Sequence, residues 1–153
     1  ETFFSTNTGD RYTMKEVLES SEPLSADIDF GYFFGTELNA TLAAPASYPI
    51  TYGQAAWGKR NATVFRATSL TPTQFSELKT FADIDAQFDA ASAIDSSPGV
   101  ESDLAKDDVI VFQTDGTKTG GSKKGLILIT ALVSGDGVDG QITLDIIVQE
   151  EVQ

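Results

Sequence analysis

The sequence predicts a mainly β protein: an antiparallel β-sandwich of Greek-key, immunoglobulin-like type with one or two short helices inserted around residues 72–94. Apolar residues fall on every second position in "ADIDFGYFFG" (26–35) and "GQITLDIIVQ" (140–149), the period of a strand with one buried face. "KGLILITALV" (124–133) is apolar without alternation from Leu126 to Ile129, as in a central strand covered on both faces. Strong helix-start signals follow "SLTP", where the period changes from two to helical spacing.

Taken in order, the opening residues read as a strand around Thr2 to Ser5 and a turn at Asn7 to Asp10. A single helical turn is opened by Thr13 with Glu16 three residues on, the capping-box spacing. In "ADIDFGYFFG" the alternation places Ile28, Phe30, Tyr32 and Phe34 on one face and Asp27, Asp29, Gly31 and Phe33 on the other, a half-buried strand. "ATLAAP" (40–45) is a short strand stopped by proline, and Tyr48 to Asn61 is loop-like. "ATVFRATSL" resumes β character.

Thr71, Pro72 and Gln74 then supply an N-cap, the favoured first helical residue and the capping-box partner, with Phe75, Leu78 and Ala82 on one face. A second helix is expected from about Ile84 to Ala93, with Ile84, Phe88 and Ala91 inward, and "SSPGV" (96–100) ends it. "DVIVFQT" (108–114), "KGLILITALV" and the closing "GQITLDIIVQ" complete six or seven strands. No repeat, low-complexity tract or interdomain linker interrupts them, so residues 1–153 read as one domain.

A chain of 153 residues buries enough surface to hold a core without staples. Its net charge of −13 repels nucleic acid and anionic lipid. Between Asp83 and Asp108 there are eight acids and one base, Lys106: a solvated face or a docking site for a basic partner. Cysteine and histidine are absent, which removes disulfides, thiolate nucleophiles, the commonest acid/base catalyst and the commonest transition-metal ligands. No apolar run approaches the ~20 residues of a transmembrane helix. The chain opens at Glu1 with one methionine, Met14, as expected of a mature form whose signal segment is gone.

The order of segments resembles a group of Bacteroidetes cell-envelope lipoprotein domains, many of unassigned function. It rests on "ADIDFGYFFG", "ATLAAPAS", "WGKRNATVF", "SLTPTQF", "DVIVFQT", "KKGLILIT" and "GQITLDIIVQ", spanning about residues 26 to 149. The resemblance implies export to the outer-membrane surface or periplasm, a lipid anchor upstream of Glu1, and company with proteins that handle polysaccharide. It supplies no catalytic residue, and "SGDGVDG" is longer than the turn expected there.

Three sites invite chemistry. Tyr48, Tyr52 and Trp57, beside Gln54, Lys59, Arg60 and Asn61, are the residue types of a sugar site, where flat rings stack on pyranoses and amides or guanidinium groups bond hydroxyls. The competing reading makes Trp57 a core plug. Asp136 and Asp139 in "SGDGVDG" suggest calcium, yet their spacing misses the EF-hand pattern, and Asp-Gly is an ordinary hairpin turn. Calcium would require carboxylates from elsewhere, with Asp27, Asp29, Asp107 and Asp108 as candidates. "TDGTKTGGSKKG" lacks a phosphate-binding element and reads as a hairpin loop.

The expectation is therefore a non-catalytic, exported domain with no obligatory cofactor. Its leading role is an accessory glycan-binding module, with polysaccharide or another envelope protein as partner. The alternative is a structural or protein-interaction domain without a small ligand. A carboxylate-dependent glycoside hydrolase is the remote third, since 23 acids always offer some pair.

Overall fold

A computed structural model describes residues 2–20, 24–35, 39–49, 51, 53–78, 80–91, 99–135 and 139–149. Two antiparallel sheets form a β-sandwich. The first has the order β2-β1-β3-β4-β6, from Arg11–Thr13, Thr2–Phe4, Phe30–Gly35, Asn39–Ala43 and Val100–Glu101. The second has the order β5-β7-β8-β9, from Val64–Ala67, Val109–Gln113, Lys124–Val133 and Gln141–Val148. The chain passes from β4 to β5 between sheets, returns for β6, and finishes as a meander of β7, β8 and β9.

The helices form where their caps predict. Helix α1 (Met14–Glu19) starts at a capping box of Thr13 and Glu16, and α2 (Pro72–Glu77) at one of Thr71 and Gln74. Helix α3 (Phe81–Ala90) starts earlier than the Ile84 expected, because Thr80 and Asp83 build a third capping box. Ala82 accordingly belongs to α3 and is exposed instead of extending the Phe75 face. Strands β2 and β6, three and two residues long, escape the sequence reading because so few positions carry no alternation.

Between the sheets lies a core of Phe30, Leu42, Phe65, Ile110, Phe112, Ile127 and Ile129, each at most 1 % exposed. Both outer faces are covered as well. Phe75, Ile84 and Phe88 of α2 and α3 pack on Val109, Val111, Leu126 and Leu128, which is why β8 needs apolar residues at consecutive positions. On the other side α1 and the segment from Ala44 to Thr63 cover Phe3, Phe33 and Ala43.

The half-buried expectation for β3 is thus corrected: Phe33 and Gly31 are buried under this cover, and only the partition of Phe30, Tyr32 and Phe34 to the inter-sheet side stands. Ile28 joins the outer cluster because pairing begins at Phe30, opposite Phe4, so Ile28 is outside the alternation.

Candidate functional site

The segment proposed for sugar recognition folds down onto the first sheet. Gly31 leaves room for it, since a Cβ there would stand 2.5 Å from Cδ1 of Phe3 and 2.9 Å from Cε2 of Tyr48. Tyr48 is 3 % exposed and its hydroxyl donates to the Tyr32 carbonyl at 2.7 Å. Trp57 is 7 % exposed and meets Phe3 edge-on. Asn61 is fully buried, its amide donating to the carbonyls of Ala26 at 2.8 Å and Ile28 at 2.7 Å, which ties the segment to the approach of β3. Gln54 lies buried on a 3-10 turn at Gln54–Ala56, with neither amide atom hydrogen-bonded to a described residue.

The exposed stacking platform that Tyr48 and Trp57 would have supplied is therefore absent. The rings cover the sheet because Phe3 and Phe33 on its outer face need apolar partners. Tyr52 lies outside the described residues. Of the described members of the group only Arg60 is exposed, while Lys59 donates to the Thr117 carbonyl at 2.8 Å.

The acids separate instead of converging. Asp29, fully buried, is held by Lys118 and Thr6. Asp27 accepts from Asn7 at 3.1 Å, and Asp108 from the Ala105 backbone at 2.7 Å. Asp107 pairs at 3.8 Å with Lys106. Asp139 is exposed, in a loop that packs beside Phe34 through Gly140, at the end of β3 opposite Asp29. Asp136 lies outside the described residues. Among the described residues no three potential metal ligands gather. Glu16, Asp85 and Asp115 are held below the ordinary carboxyl range by hydrogen bonds from Thr13, from Lys124 and Gln149, and from Thr117 and Ala62 respectively. A glycosidase general acid needs the opposite shift.

Two features have no counterpart in the sequence reading. One is an ion pair closing one end of the sandwich. The loop between β7 and β8 folds over that end, and its Lys118 reaches both carboxylate oxygens of Asp29, at 2.7 and 2.6 Å, with both side chains wholly excluded from solvent. Thr6 donates to Oδ2 through its backbone N–H at 2.7 Å and its hydroxyl at 2.8 Å. The Lys118 amine also donates to the Asp27 carbonyl at 3.3 Å. Buried charges are tolerated only when paired and hydrogen-bonded in this way.

The other is an open cleft of about 570 Å³ where the sandwich gapes between β1 and β3 on one side and β9 on the other. Phe4, Tyr32, Leu42, Ile142, Leu144 and Ile146 line it, with Arg11 the one charged residue of its wall among the described residues. Among the described strands β9 is an edge, so the main-chain groups on its outer side pair with none of them, and its inward side chains Ile142, Leu144 and Ile146 are only half-buried. The buried Tyr32 hydroxyl has no hydrogen-bond partner among the described residues, and burial raises its pKa from 10.0. Alternation in "GQITLDIIVQ" identifies the inward residues of β9, but the cleft depends on which strand of the first sheet faces them, which no local pattern encodes.

The chain matches no protein-family model, no curated protein and no solved structure.

Proposed function

We propose that this is a non-catalytic, exported interaction domain of the bacterial cell envelope, which recognises an extended polypeptide segment along β9. The cleft beside that strand carries the reading. A strand laid against β9 would satisfy its free main-chain groups, while alternate apolar side chains would enter the space between Tyr32, Leu144 and Ile146. The burial of Tyr48 and Trp57 supports a polypeptide over a glycan as ligand, since sugar stacking needs accessible rings.

The test is selection of random displayed peptides on the immobilised domain, alongside retention on envelope polysaccharides. Sequences with alternating apolar residues are expected, losing their binding when Leu144→Arg places a charge in the cleft. Polysaccharide retention that survives Leu144→Arg and disappears with Arg60→Ala would replace this reading with the glycan one.

A further inference from the structure

We propose that Asp29 and Lys118 condense to an isopeptide bond that staples the two sheets covalently. The reacting groups come from different layers. Asp29 immediately precedes β3 of the first sheet, and Lys118 sits in the loop between β7 and β8 of the second. Nζ contacts both carboxylate oxygens, at 2.7 and 2.6 Å, so the two groups that would join are already held against each other.

The surroundings favour the reaction in two ways. The N–H and hydroxyl of Thr6 both donate to Oδ2, at 2.7 and 2.8 Å, and so stand where negative charge grows as the carboxyl carbon becomes tetrahedral. Both side chains have zero exposure, which keeps out the water that would reverse the condensation. The step needs no co-reactant. Nζ bonds to the carboxyl carbon while the bond from that carbon to Oδ1 breaks. Two ammonium hydrogens pass to Oδ1, which leaves as water, and the third remains on the amide nitrogen. The positive and negative charges cancel, so the end of the sandwich keeps a neutral amide in place of a buried ion pair. Thr6 remains hydrogen-bonded to the carbonyl oxygen. In a chain without cysteine, this is a covalent tie between layers that a disulfide cannot provide.

The deciding experiment is the intact mass of the purified full chain, followed by peptide-level fragmentation. The expected mass is lower than the sequence mass by one water, about 18 Da, with the Asp29 and Lys118 peptides joined. Lys118→Arg keeps the positive charge but offers no amine, and is expected to restore the full mass. A wild-type chain at full sequence mass overturns the proposal. So does a water loss that fragmentation places at an Asp-Gly step such as Asp115-Gly116 or Asp139-Gly140, where aspartate can close on its own backbone.

Discussion

Trp57 meets Phe3 edge-on, with ring centroids 4.9 Å apart and planes inclined at 69°. Edge-to-face geometry of this kind adds to the burial of both rings, and it fixes the segment from Ala44 to Thr63 as a lid on the outer face of the first sheet. Trp57→Ala is therefore expected to cost about 3 to 5 kcal/mol, the range for deletion of a core aromatic. Urea denaturation followed by far-UV circular dichroism measures the loss. The native protein should show blue-shifted tryptophan emission resistant to acrylamide.

Gly31 is required by the same lid. A methyl group there runs into the Phe3 ring at 2.5 Å and the Tyr48 ring at 2.9 Å, and neither can retreat from a packed cluster. Gly31→Ala is expected to destabilise by about 1 to 3 kcal/mol through overpacking, despite alanine's better intrinsic propensity. A midpoint unchanged in urea would show that the lid yields.

Lys118→Met leaves the Asp29 carboxylate buried without its counter-charge, a loss of at least about 3 to 5 kcal/mol. The double variant Asp29→Leu, Lys118→Met should cost less than the two single variants added, because it removes the stranded charge as well as its partner. A double-mutant cycle by chemical denaturation measures the coupling.

Asp115 accepts hydrogen bonds from the Thr117 backbone and hydroxyl, both at 2.8 Å, and from the Ala62 backbone at 3.0 Å. These lower its pKa from 3.8. A carboxyl lowered by folding binds protons more weakly in the native state than in the unfolded chain. Its stabilising contribution is therefore complete above the unfolded value and is lost as pH falls through the lower native one. Thermal denaturation across the acid range should show Asp115→Asn less stable than wild type at neutral pH, with the difference shrinking below pH 3.8.

What the sequence discloses follows the length scale of each feature. Helices α1 and α2 are readable because a capping box spans four residues, and β8 because a short apolar run following a Gly-rich turn fits a strand covered on both faces. Asp29 reads as solvent-facing by alternation, but the β7–β8 loop closes over it from a point 89 residues along the chain. The signal available was a lone lysine, Lys118, among Gly and Thr in a loop, indistinguishable there from a solubilising charge. Trp57 carries the opposite lesson. The residue types around it suit both a sugar site and a core, and only the location of Phe3 and Phe33 on a face needing cover decides between them.

Recognition along β9 is tested most directly by backbone amide NMR, titrating the labelled domain with the tightest peptide recovered by selection. Shifts and new exchange protection are expected at Gln141 to Val148, with contacts to Tyr32 and Leu144 and no change at Arg60 or Asn61. Perturbations gathered at residues 53–61 with β9 untouched would contradict the assignment and return the binding surface to the loop that carries Trp57.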